Sequence, residues 1–174
     1  MAKKMGLPVL KFIAVTNAND IIPQYLKTGT YLPQPAKKTI SNAMDVGDPS
    51  NWDRIMDLFG HSINRIKDVI ISESYPDEIT KQTIRDVFAR CRYILDPHSA
   101  IGCRGLTDYL KTADIPCCGI ALATAHPAKF RDIVEEVIKQ KIEMPSSLKS
   151  CLAKKKKSIL LTNEMESFKE FLLS

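Results

Sequence analysis

Cys117-Cys118-Gly119-Ile120-Ala121-Leu122-Ala123-Thr124-Ala125-His126-Pro127-Ala128-Lys129-Phe130 is the stretch on which the fold turns. Ile120 to Ala123 form an uncharged run without the polar spacing of an amphipathic helix, which predicts a strand covered on both faces in a parallel sheet. Thr124 and His126 stand at its carboxyl end. Pro127 presets its own backbone angle and lacks an N–H, so it suits the first turn of a helix. Phe130, Ile133, Val134, Val137 and Ile138 then recur at helical spacing, and Met144-Pro145 is the expected end of that helix. In open α/β sheets ligands bind beyond the carboxyl ends of strands, which makes Thr124 and His126 ligand candidates of equal standing on position alone.

The same order of strand, polar turn and helix recurs upstream. Met1 to Met5 reads as the last turn of a helix, stopped by Gly6 and Pro8. Val9 to Thr16 is rich in β-branched and aromatic residues and predicts a strand. It runs into Asn17-Ala18-Asn19-Asp20, then into a short helix carrying Ile21, Ile22, Tyr25 and Leu26 that ends near Gly29. Asn17 and Asn19 are read first as turn and cap residues and second as ligand contacts. Thr30 to Lys38, with Pro33 and Pro35, predicts an extended loop. The small, polar run from Thr39 to Asn51 is either a loop docked on the domain or a substrate contact, and Ser50 or Asn51 can cap a helix through Trp52, Ile55, Met56 and Phe59.

Between His61 and Ile71, Ile63, Ile66, Val69 and Ile70 fall at helical spacing and predict a helix. Pro76-Asp77-Glu78 opens the next one, with acidic residues suited to its first turn. Tyr93-Ile94-Leu95 reads as a short strand ending in Asp96-Pro97-His98-Ser99, a polar turn that starts another helix whose small residues permit close approach. His98 is a candidate proton carrier, although no nucleophile or carboxylate stands at useful spacing from it. Ser146 or Ser147 is expected to cap a short helix, and Glu164 to Leu173 a last one that packs back on the domain through Phe168, Phe171 and Leu172.

With 174 residues, 44% of them hydrophobic and 26% charged, the composition is that of a globular domain with a core of its own. No apolar run nears the roughly 20 residues that a membrane span needs, and no secretory signal opens the chain, so a cytoplasmic protein without membrane contact is expected. The net charge of +5 owes much to Lys154-Lys155-Lys156-Lys157. These read as a solvated linker, and without interleaved aromatic residues they do not suggest nucleic acid. Cys91, Cys103, Cys117, Cys118 and Cys151 lack the paired spacing of a zinc site and are expected as free, buried thiols, with no metal bound.

Four motifs in order, Phe12-Ile-Ala-Val-Thr-Asn-Ala-Asn-Asp20, Thr39-Ile-Ser-Asn-Ala-Met-Asp-Val46, Asp96-Pro-His-Ser-Ala100 and Ala123-Thr-Ala-His-Pro-Ala-Lys-Phe130, make this sequence similar to the threonine synthases of bacteria and fungi. The resemblance runs nearly end to end and falls on the carboxyl-terminal part of those enzymes. It implies an α/β fold, a partial three-layer domain with a mostly parallel sheet derived from a fold-type-II pyridoxal-phosphate enzyme. Residues 1–152 would form the carboxyl-terminal part of the catalytic domain, and 153–174 a basic linker and terminal helix. The implied cofactor is pyridoxal 5'-phosphate, and the implied reaction converts O-phosphohomoserine and water to L-threonine and phosphate.

The resemblance also separates the candidates. Thr124 would meet the pyridine nitrogen of the cofactor, and its neutral hydroxyl does not force protonation there. His126 becomes a turn residue supporting it. Asn17, Asn19, Asp20, Ser41, Asn42, Asp45, Asp96, His98, Ser99 and Lys129 would stand around the site, behind the residues that touch the ligand. The family's Schiff-base lysine and its Gly-Asn-Phe-Gly type phosphate loop lie upstream of the matched region, and neither motif occurs in these residues. Ser167-Phe168-Lys169-Glu170-Phe171 imitates the lysine motif only superficially. The expectation is therefore a chain inactive by itself, from a misplaced start, a split gene or a pseudogene. The competing expectation is a noncatalytic module that pairs with a separately encoded amino-terminal half.

Overall fold

In a computed structural model residues 2–174 are described, and they fall into two units, one ending at Ile142 and a second spanning Glu143–Ser174. The expected helical tail at the start is a 3-10 turn, Ala2–Met5, closed by Gly6 at φ 89°; Met1 lies outside the described residues. The fold of the first unit is α/β, with a parallel pair of strands and helices packed around it.

The strand expected over Val9–Thr16 is laddered over Phe12–Ile13 (β1), because a strand is only as long as its partner. That partner is Ile70–Ile71 (β2), parallel, with Phe12 opposite Ile70 and Ile13 opposite Ile71. Pairing continues less regularly to Thr16, whose N–H reaches the Glu73 carbonyl at 2.9 Å. Ile70 and Ile71 were expected on a helix. Instead that helix, α3, is short (Ile63–Lys67), begun by Ser62, and the β-branched run after it goes to the sheet.

Helix α1 (Ile21–Thr28) ends as its sequence predicts, with Gly29 in the left-handed region at φ 82°. Tyr25 and Leu26 of α1, Trp52 of α2 (Trp52–Leu58), Ile66 and Ile70 form a core cluster, in which Tyr25 meets the Trp52 ring edge-on at 5.5 Å. Helix α4 (Asp77–Cys91) packs on α5 (Pro97–Thr112) and on α6 (Arg131–Ile138). Gly105 lets α5 press against β1, since a Cβ there would stand 2.4 Å from Val15 Cγ1. Beyond β2, the Tyr75 hydroxyl donates to Asp108 of α5, which Arg104 also grips at 2.6 Å; burial first, then that carboxylate, push the phenol up to about 12.

Three expectations are corrected. Ile120 to Ala123 lie outside any helix and pair with no strand among the described residues, and Ile120 and Leu122 are 80% and 77% exposed rather than buried. A doubly covered strand needs neighbours on both edges and helices on both faces. Here Leu106 and Leu110 of α5 approach at Gly119, but residues 118–124 are all exposed, so neither face is covered. Tyr93–Leu95 likewise joins no ladder. Helix α6 stops at Ile138, well before Met144, because Lys139 turns left-handed at φ 55°. Glu135 then accepts from Arg131 Nε and from the Ile142 N–H, both at 2.8 Å, which folds the chain end back on α6.

The second unit holds α7 (Ser146–Leu152), the exposed lysine run and α8 (Met165–Leu173). Neither serine caps α7 through its side chain; Pro145 occupies the position before it. Among the described residues no helix is long and apolar enough to cross a membrane.

Candidate functional site

Where β1 ends, the chain enters a polar turn whose side chains point to one another. The Asn17 amide nitrogen stands 3.0 Å from Thr39 Oγ1, 2.9 Å from Ser41 Oγ and 3.0 Å from Asp45 Oδ1. Its oxygen accepts the Asn19 N–H at 2.9 Å. Asn19 in turn brackets the loop backbone, accepting the Lys37 N–H at 2.7 Å and donating to the Lys37 carbonyl at 2.9 Å. Asp45 closes the circle by accepting from Thr39, at the backbone N–H (2.9 Å) and the hydroxyl (2.6 Å). Asn17, Asn19, Thr39 and Ser41 are all buried, so their polar atoms hold the loop of residues 37–45 in place.

Across from this loop stands the start of α5. Asp96, 1% exposed, caps it by accepting the N–H groups of His98 (2.9 Å) and Ser99 (3.3 Å). The Ser99 hydroxyl donates to the other Asp96 oxygen and accepts the Thr124 N–H at 3.3 Å. One helix cap therefore also positions the turn that carries Thr124. His126 accepts the Ala128 N–H on Nδ1 at 3.1 Å and so opens the 3-10 turn Pro127–Phe130 that leads into α6. The His98 ring meets Phe130 edge-on at 5.1 Å. Burial, the largest influence on His98, outweighs the Asp96 and Asp45 carboxylates and holds its imidazole below the usual histidine range.

Between the two walls lies a cavity of about 500 Å³. Of the residues singled out from sequence, Thr124, Asn17, Asn19, Ser41, His98 and Lys129 line it. Asp96, Ser99 and Asp45 stand behind it, holding residues that do. Asp20 pairs with Gln24 and Lys37 outside it, Asn42 is exposed in a 3-10 turn, and His126 faces its own turn. Sequence reading missed Thr39, which bonds both Asn17 and Asp45; the signal was a threonine six residues ahead of an aspartate in a loop rich in hydroxyls. It also missed the apolar lining from Val15, Ile101 and Phe130, residues read only as core. All five cysteines are free, but none is buried and Cys91, Cys118 and Cys151 are exposed; no group of metal-ligating side chains forms among the described residues.

The family model "Threonine synthase, C-terminal" matches residues 99–172. Threonine synthase of Buchnera aphidicola from Schizaphis graminum is 40% identical over 173 residues, 99% of this chain and 39% of that protein. The crystal structure of Escherichia coli threonine synthase superposes with a TM-score of 0.81 at 36% identity, over 99% of this chain and 39% of that one. Over nearly its whole length the chain is similar to the carboxyl-terminal part of threonine synthases. A pyridoxal-phosphate-bound threonine synthase from Brucella melitensis, 29% identical, superposes with a TM-score of 0.75 over 98% of this chain and 41% of its own. Against the Buchnera and E. coli threonine synthases the chain spans about two fifths of their length.

The link between Ser99 and Thr124 can be tested directly. Replacing Ser99 with alanine removes the acceptor for the Thr124 N–H and a donor to the buried Asp96 carboxylate. The expected cost is about 1–3 kcal/mol in denaturant unfolding. Amide exchange at Thr124 is expected to quicken at least tenfold while the helix amides of α4 keep their rates; equal quickening in both would mean that Ser99 serves the fold and not this turn.

Proposed function

We propose that these residues form one wall of the pyridoxal-phosphate site of a threonine synthase, where O-phosphohomoserine and water become L-threonine and phosphate. The observation that supports this best is convergence: segments that begin at Asn17, Thr39, Asp96 and Thr124, far apart in sequence, meet around one cavity. Its residues fit the ring end of the cofactor. Val15, Ile101 and Ala125 offer apolar surface, and Thr124 offers a neutral hydroxyl at the carboxyl end of the Ile120–Ala123 segment. A hydroxyl can bond the pyridine nitrogen without requiring a proton on it, unlike a carboxylate. When bound, the cofactor supplies the electron sink for the reaction. Asn17, Asn19 and Ser41 shape the opposite wall, and half-buried His98, held toward its neutral form, adds no charge there.

The Schiff-base lysine and the phosphate cradle would come from residues outside these 174. In this reading the 174-residue chain alone does not turn over, and Lys169, on α8 in the second unit, takes no part. A phosphate-release assay with O-phosphohomoserine and cofactor is expected to show no activity for the chain alone. Turnover that persists in Lys169→Ala would overturn that reading. The second reading, a noncatalytic module that pairs with a separately encoded amino-terminal half, draws support from the uncovered segment Ile120–Ala123.

A further inference from the structure

We propose that a groove between α1 and the residues after β2 is a second small-molecule site, which takes a short free α-amino acid in its zwitterionic form. The groove encloses a cavity of about 480 Å³, and opposite charges line it: the Lys27 ammonium on α1 and the Glu73 carboxylate beyond β2. Among the described residues neither side chain belongs to an ion pair, so the two charges share the groove without meeting. A simple anion would suit Lys27 and be repelled by Glu73, and a simple cation the reverse. An α-amino acid carries both charges on one carbon and satisfies both residues at once.

The remaining lining supplies what a short polar side chain needs. Ser74 Oγ bonds nothing else, and Ser72 Oγ donates to the Ala14 carbonyl while keeping its capacity to accept. The Gln24 amide nitrogen donates to Asp20 at 2.9 Å, which leaves the amide oxygen open. Asp20 is also paired with Lys37 at 3.8 Å, so Glu73 is the carboxylate left for the ligand's ammonium. Apolar surface comes from Pro23 and Leu26 alone, too little for a long hydrocarbon side chain.

The groove and the first cavity share no lining residue, so its ligand does not depend on what fills that cavity. They do share elements. Ile21 and Ile22 of α1 line the first cavity, and the Glu73 carbonyl accepts the N–H of Thr16, which also lines it, at 2.9 Å. A ligand bridging Lys27 and Glu73 therefore ties together two segments that form one wall of the first cavity.

The test titrates L-serine into the isotope-labelled full chain up to about 50 mM, because exposed charges hold a small ligand weakly. Saturable amide shifts are expected at residues 24–27 and 72–74, and not at Ser41 or Thr124. At ten times the dissociation constant, exchange of the Thr16 amide is expected to slow about tenfold. L-serine amide lacks the carboxylate and N-acetyl-L-serine lacks the ammonium, and each is expected to bind at least threefold more weakly than L-serine. Lys27→Gln should then bind L-serine and its amide alike, and Glu73→Gln should bind L-serine and its N-acetyl form alike. Both substitutions replace exposed side chains, and amide spectra away from the groove should match the parent's. No saturable shift, shifts confined to the first cavity, or discrimination against the two analogues that survives both substitutions would each overturn the inference. Cofactor binding at the first cavity, or its failure, changes none of these readouts, so the two readings stand or fall separately.

Discussion

Replacing Gly47 with alanine is expected to dislodge the loop that builds one wall of the cavity, at a cost of about 3 kcal/mol or more. The reason is not backbone conformation, since Gly47 needs no left-handed angle, but space. A Cβ at this position would lie 1.7 Å from the Gln34 carbonyl oxygen, 2.8 Å from its carbon and 3.0 Å from the Ala36 nitrogen. These are backbone atoms and cannot rotate aside as a side chain would. Gln34 also joins the two halves of the loop, because its N–H donates to the Gly47 carbonyl at 3.0 Å. Relief requires the strands of the loop to part, which removes support from Ala43, Met44 and Val46 along the cavity. Chemical denaturation should show the loss, and exchange at residues 34–48 should rise most. A variant with the parent's midpoint and exchange pattern would mean that the loop is looser than the structure shows.

Asn17→Leu is expected to be similarly damaging by an opposite route, keeping the volume and deleting the bonds. The Asn19 N–H loses its acceptor, and Thr39, Ser41 and Asp45 lose a shared donor in a site with little access to water. Leaving several buried polar groups short of partners costs about 2–5 kcal/mol in all, given roughly 1–3 for each group and partial rearrangement. Asn17→Asp provides the informative contrast. It retains the acceptor for Asn19 but sets a second carboxylate beside Asp45. Mutual repulsion raises the folded-state pKa of the pair above the unfolded value, so stability is lost as pH rises and regained as it falls. Melting curves should show Asn17→Asp approaching the parent on mild acidification while Asn17→Leu stays offset by a constant amount. Parallel pH dependence in the two variants would contradict the network drawn around Asn17.

Local chemistry made much of the first unit legible. Gly29 as a left-handed stop, Pro76 before an acidic first turn, and Asp96 ahead of Pro97 each act within a few residues of themselves, and the structure places them as expected. Pairing was not legible in the same way. The uncharged run Ile120–Ala123 lacks the polar spacing of a surface helix, but whether a strand forms there and is covered depends on neighbours that no local pattern names. Ile70 and Ile71 satisfy helical spacing and β propensity at once, and only the partner at Phe12 and Ile13 decides between them. Lys139 shows no local sign of its left-handed turn, beyond which the Ile142 N–H bonds back to Glu135 on the helix. In the cavity, single polar residues in turns could be found by type. The convergence of Thr39, Ser41 and Asp45 on Asn17 could not, because 22 to 28 residues separate Asn17 from these partners.

The open face at Ile120 and Leu122 also bears on how much of this protein a cell could keep. An uncovered apolar strand is a target for chaperones, proteases and its own kind, so lifetime depends on how quickly cover is found. Copies in which that face stays open would be cleared first.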